Sequence, residues 1–228
     1  MKRGLVVVAH ADDAEFGCAG TVALWARDGY EVTYVVCTDS SRGSEDPAIT
    51  REQLIALRKE EQAEAARILG VREVLYLGHE DGAVVDDEPL RRQIVRLIRA
   101  YKPERVIAMD PTVRIVDRYV NHPDHVAVAS ATIAAVYPFA RNRPTFPDLL
   151  AEGLEPFSVP ELWLTSFGQA NTWVDIGETI ALKVEALRAH RSQMRDWDPE
   201  PMVRDWAKRA GAGQLIDAAE SFRVIRLT

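Results

Sequence analysis

The chain has 228 residues, 28 of them Lys or Arg and 35 Asp or Glu, which leaves a formal charge of −7. A chain of this length buries roughly 70–75% of the surface its unfolded form exposes, so a core forms without disulfides or a structural metal, and a bound metal would serve function. The negative balance excludes a general attraction to nucleic acid or anionic lipid, because both require positive charge to displace counterions.

The first apolar run, Leu5 to Ala9, is shorter than the core of a signal peptide and far shorter than a membrane span. It is β-branched and uninterrupted, the pattern of a strand buried on both faces of a parallel sheet. Further strands are predicted at Val32 to Cys37, Glu73 to Leu77 and Arg105 to Met109. Between them, a helix is predicted near Cys18. Another runs from Arg51 to Leu69, with Thr50 and Gln53 placed as a capping box and Gly70 as its stop. A third starts near Asp87, with Pro89 in its first turn, and ends at Tyr101 before Pro103. Pro123 opens a fourth that continues to about Val136.

The segment 137–160 contains five prolines and no sustained period, and reads as a long loop or lid. Beyond it come strands at Glu161 to Thr165 and Thr172 to Ile176, then helices at Glu178 to His190 and Pro201 to Arg209. Strand and helix alternate through the first 110 positions. That alternation gives an α/β fold: a Rossmann-like, doubly wound, mostly parallel sheet with helices on both faces. In the commonest strand order the first and fourth strands lie side by side, and ligands bind beyond their carboxyl ends. The two cysteines, Cys18 and Cys37, are far apart in apolar surroundings, which fits a cytoplasmic protein.

Two polar clusters follow the two strands expected to meet there: His10-Ala11-Asp12-Asp13 and Asn121-His122-Pro123-Asp124-His125. Imidazole and carboxylate are the usual ligands of zinc, and a catalytic zinc takes three protein ligands and leaves one position open. His10, His125 and one of Asp12 and Asp13 make such a set, the other aspartate remaining free beside it; spacing alone does not say which is which. Either cluster by itself reads equally well as a strand-end cap or a helix start. Both at facing strand ends of one sheet are better explained by a metal site. Gly17-Cys18-Ala19-Gly20 is no dinucleotide fingerprint and fits a helix packed close to the sheet.

With these two segments the chain resembles the PIG-L or LmbE-like zinc-dependent de-N-acetylases, whose hallmarks are an Ala-His-Pro-Asp-Asp segment, here Ala9 to Asp13, and a His-Pro-Asp-His segment, intact at His122 to His125. Weaker matches are Arg58-Lys59-Glu60-Glu61, Asp81-Gly82 and Ala189-His190-Arg191-Ser192-Gln193. The resemblance covers nearly the whole chain and implies a single deacetylase domain over 1–228 with an LmbE-like fold. It implies one zinc per chain on His10, Asp13 and His125, Asp12 as general base, and His122 as the group that steadies the oxyanion or assists proton transfer. Asp124 and Glu15 would stand behind the ligands and orient them, and Arg58 and Asp81 would contact substrate. The implied substrate is a small N-acetylated sugar or glycoconjugate; the family also contains homo-oligomers. A hydratase or lyase using the same zinc, and a non-catalytic sugar- or nucleotide-binding module, are the alternatives. Position 11 departs from the pattern, with Ala where the family has Pro, so the loop lacks one fixed backbone angle.

Overall fold

The computed structural model describes residues 2–116, 119–165 and 169–227. In chain order the elements are β1 (Lys2–Val8), α1 (Asp13–Arg27), β2 (Tyr30–Thr38), α2 (Arg51–Leu69), β3 (Glu73–His79), α3 (Glu88–Tyr101) and β4 (Arg105–Met109). There follow a short ribbon of β5 (Ile115–Val116) and β6 (Tyr119–Val120), then α4 (Pro123–Ala134), α5 (Pro147–Ala151), β7 (Glu161–Thr165), β8 (Thr172–Asp175), α6 (Ile180–Ala189), α7 (Arg191–Met194), α8 (Glu200–Gly211) and β9 (Ala219–Arg226).

Seven strands form one sheet in the order β3-β2-β1-β4-β7-β9-β8. The first five of these are parallel, and β9 runs antiparallel between β7 and β8. Side chains alternate across β1 as the pleat requires. Leu5 and Val7 join the core under α3 and α4, while Val6 and Val8 join the core under α1, α2 and α6. The strand order reverses between β1 and β4, so the crevice at their carboxyl ends is the switch point that the alternation predicts.

Local signals set the helix ends. Thr50 Oγ1 accepts from Gln53 N–H while Gln53 Oε1 accepts from Thr50 N–H, and Gly70 closes α2 at φ 75°; a cap of this kind is worth about 1 kcal/mol. Asp87 caps α3 through Leu90 N–H. Gly20 lies so close to Ile176 that a Cβ there would meet its side chain at 2.7 Å, which explains the small residues of α1.

Three expectations are corrected. The first helix begins at Asp13 and not near Cys18, with Asp13 and Glu15 in its acidic first turn, where carboxylates complement the helix dipole. Strand β9 escaped the sequence reading, although its buried residues alternate. The segment 137–160 is no lid over the switch point. Arg99, near the carboxyl end of α3, donates to the carbonyls of Phe139, Ala140, Asn142 and Thr145. Leu149 and Val159 are buried in the core, and Leu227 N–H bonds Pro160 O beside the start of β7. Those anchors hold the segment toward the amino-terminal edge of the sheet, the edge away from the two histidine clusters.

Candidate active site

Beyond β1 the chain turns back on itself: Asp13 Oδ2 accepts from His10 N–H at 2.7 Å, and Asp13 opens α1. His125 comes from the first turn of α4, across from β1. Three donors then converge. His10 Nδ1 lies 3.2 Å from His125 Nε2, His125 Nε2 lies 3.1 Å from Asp13 Oδ1, and His10 Nδ1 lies 3.6 Å from Asp13 Oδ2. Zinc bonds of about 2.0–2.1 Å in tetrahedral array place ligand atoms roughly 3.3 Å apart, so the triangle has the size and donor chemistry of such a site.

Each imidazole is turned to present the nitrogen that faces this triangle. His125 Nδ1 lies 2.9 Å from Asn121 Oδ1, an acceptor, which puts the ring proton there and leaves Nε2 with a lone pair. His10 Nε2 lies 3.0 Å from Asp81 Oδ1 and 3.3 Å from Asp124 Oδ2, leaving Nδ1 toward the triangle. Against the burial that disfavours its charge, bonds to Asp124, Asp13 and Asp81 raise His10 to about 12. Burial works the other way on Asp13, yet His125 and His10 hold its carboxyl far below the usual range.

A second cluster, His10, Asp81, His122 and Asp124, also brings donor atoms within 4.8 Å of one another. Its carboxylates are already committed. Asp124 accepts from Gly82 N–H and Val84 N–H as well as facing His10, and Asp81 Oδ2 accepts from Arg42 N–H at 2.8 Å. The His10–Asp13–His125 triangle is therefore the better cation cradle. Asp81, expected to contact substrate, is 5% exposed and stands against His10.

Asp12, between Ala11 and the ligand Asp13, stands at φ 94° and ψ −23°, and its carboxylate is bonded to Arg58 and near enough to Asp13 for the two charges to act on each other. Burial lifts its pKa to about 6, with Arg58 pulling it down. Arg58 Nη2 donates to Asp12 Oδ2 at 3.0 Å and to Ala11 O. Arg58 is 4% exposed, so a solvated helix face does not describe it. Ala11 N–H donates to Ser40 Oγ at 3.0 Å, a bond that a proline there could not make.

His122 caps α4, its Nδ1 accepting from Asp124 N–H, which leaves Nε2–H as a donor on a half-exposed ring. Its ring centroid is 4.7 Å from that of His10. Burial and the neighbouring His10 lower its pKa, so it is a neutral donor at neutral pH.

Glu15 is buried and faces inward, bonded by Gln62 and His190. Two of the three weaker sequence matches meet here: Glu61 accepts from both Ser192 N–H and Ser192 Oγ. Sequence reasoning missed Asn121, Gln62 and Ser40 as partners of the site. Gln62 lies four residues after Arg58 on α2, a helical spacing that was available to find it, whereas Asn121 precedes α4 and shares no helix face with His125.

The family model for PIG-L, GlcNAc-PI de-N-acetylase, matches residues 5–136. A diacetylchitobiose deacetylase of Thermococcus kodakarensis is 30% identical over 233 residues, spanning 99% of this chain and 84% of that protein. A probable N-acetyl-alpha-D-glucosaminyl L-malate deacetylase 2 of Bacillus anthracis is 30% identical over 198 residues, spanning 84% of this chain and 81% of its own. The solved N,N'-diacetylchitobiose deacetylase of Pyrococcus horikoshii superposes with a TM-score of 0.92 at 31% identity, covering 99% of this chain and 84% of that one. The chain belongs to the PIG-L de-N-acetylase family.

Proposed function

We propose that the protein is a zinc-dependent hydrolase that removes the N-acetyl group from an amino sugar or its conjugate. The observation that carries this is the donor triangle of His10, Asp13 and His125 with the Asp12 carboxylate beside it. The relatives named above are N-deacetylases of amino sugars, so the hydratase and the non-catalytic module are not favoured.

His10 Nδ1, Asp13 and His125 Nε2 would hold one zinc, which when bound lowers the pKa of a water and polarises the amide carbonyl. Asp12 takes a proton from the water that attacks the amide carbon, a role suited to a carboxyl whose pKa lies near 6. Arg58 keeps the carboxylate in place. The neutral Nε2–H of His122 donates to the oxyanion that develops on the acyl oxygen. Asp12 then returns its proton to the amine nitrogen, which cannot leave as an anion. Asn121, Asp81 and Asp124 orient the two histidines, and Glu15 lies behind Asp12.

We also take residues 1–228 as one deacetylase domain acting in the cytoplasm; no helix among the described residues is long and apolar enough to cross a membrane, and both cysteines are buried and unpaired. The test is a paired assay of acetate and free amine across N-acetylated sugars, with metal content measured on each variant. Asp12→Asn should keep its metal and lose about 100-fold or more in kcat, whereas His125→Ala should lose the metal. Full turnover by Asp12→Asn would refute the assignment of the base.

A further inference from the structure

Asp12 occupies left-handed backbone space, φ 94° and ψ −23°, on the short turn between β1 and α1. A non-glycine residue held there costs on the order of 1–3 kcal/mol unless its surroundings enforce the conformation. Two side chains of α2 hold the Ala11–Asp12 peptide from its two sides: Gln62 Oε1 accepts from Asp12 N–H at 3.0 Å, and Arg58 Nη2 donates to Ala11 O.

A glutamine amide can face either way. Turned over, it would set an NH2 group against the Asp12 N–H, donor to donor, and the turn would lose its N–H anchor. What decides is the other end of the amide. Gln62 Nε2 donates to Glu15 Oε1 at 3.0 Å, and the second Glu15 oxygen lies 3.2 Å from His190 Nε2. A carboxylate accepts and does not donate, so Glu15 requires the NH2 end, and the carbonyl end is left for Asp12. Gln62, Glu15 and His190 are all 0% exposed, out of reach of any substrate. They join α2, α1 and the residue after α6 behind one loop.

We infer that Gln62 is a positioning residue for Asp12, and that the Glu15–His190 pair sets which end of its amide faces the catalytic loop. This rests on the reading of Asp12 as the base. Arg58 donates to the Asp12 carboxylate and to the carbonyl side of the Ala11–Asp12 peptide, whereas Gln62 takes the N–H on the other side of that peptide, so its own contribution is to the backbone from which the carboxylate projects.

The test is Glu15→Gln, which is isosteric and leaves no cavity. An amide at position 15 can donate to Gln62 Oε1 and release the orientation. The expected result is a fall in kcat on the order of 10- to 100-fold, with KM and bound zinc per chain unchanged. Gln62→Met, which keeps the volume and removes the acceptor, should do the same. In an Asp12→Asn background neither change should lower the residual rate further. Wild-type kcat in Glu15→Gln overturns the inference, as does an equal loss in the Asp12→Asn background or a rate loss that follows loss of zinc. An inactive Asp12→Asn beside a fully active Glu15→Gln would remove the inference alone; a fully active Asp12→Asn would remove both readings.

Discussion

Asn121 offers the sharpest measurement of how the cation cradle is built. Its Oδ1 lies 2.9 Å from His125 Nδ1, and its Nδ2 donates to Val113 O at 2.7 Å, so one side chain serves both the histidine and the loop that carries β5. Asn121→Ala removes both bonds and the one that Oδ1 accepts from Tyr119 Oη, while Asn121→Asp keeps an acceptor for His125 and Tyr119 and loses the donor to Val113. A hydrogen bond of this kind contributes about 1–1.5 kcal/mol net, close to a tenfold change in an equilibrium constant, and partners of metal-binding histidines typically account for ~10–100-fold in affinity. Asn121→Ala should therefore weaken zinc by at least about tenfold. Asn121→Asp should hold or improve it, because a carboxylate raises the basicity of the imidazole. Competition against a chromophoric chelator at fixed pH reads both. If the loop anchor were what mattered, both variants would lose affinity alike, and that outcome refutes the reasoning, as does wild-type affinity in Asn121→Ala.

Three further outcomes are expected. With His10 raised to about 12 by its carboxylate neighbours against the pull of burial, protein stripped of metal carries an imidazole proton that zinc must displace. Apparent affinity should climb with pH toward about tenfold per unit, with proton release visible by calorimetry in two buffers; a flat affinity contradicts it. The same raised value makes His10's contribution to the stability of the stripped protein full below pH 6.5 and lost as pH rises through about 12. With Asp12 lifted to about 6 by burial and restrained by Arg58, kcat/KM should fall as pH drops through about 6. Arg58→Met should move that limb to higher pH, since it removes a cation that favours the carboxylate; an unmoved limb in the pH–rate profile counts against the pairing. Lys183 and Glu220 form a buried pair at 2.6 Å, with Glu220 also accepting from Gly20 and Thr21 N–H. Lys183→Met strands that carboxylate and should lower unfolding free energy by about 3–5 kcal/mol in urea titration. A change under 1 kcal/mol would show that the pair is dispensable.

The parts of the fold and site that were legible in the sequence share one property: their evidence is local. The runs at Leu5 to Ala9 and Arg105 to Met109, the capping box at Thr50 and Gln53, and Pro89 and Pro123 each declare an element within a few residues, and the structure places them accordingly. His10 with Asp13 and His122 with His125 were legible for the same reason, since each half of the cluster is a contiguous segment and the strand order supplied the meeting point. What stayed hidden depends on contacts made across the chain. A run of prolines says where helix stops and says nothing of where the loop travels; Arg99 on α3, about forty positions earlier, decides that 137–160 goes to the far edge. Asp81 looked like a loop residue at the open end of β3 until the structure set it against His10, 71 positions away. Arg58 and Gln62 sit one helical turn apart on α2, and Asp12 is where a donor of one and an acceptor of the other meet. The departure at position 11 follows the same logic. A proline constrains a loop by its own ring, whereas Ala11 leaves an N–H that Ser40 binds from the loop after β2 and a carbonyl that Arg58 binds from α2. Here rigidity that the local residue does not supply comes from two distant side chains, so a change at Ser40 or Arg58 acts on the catalytic turn as directly as a change within it.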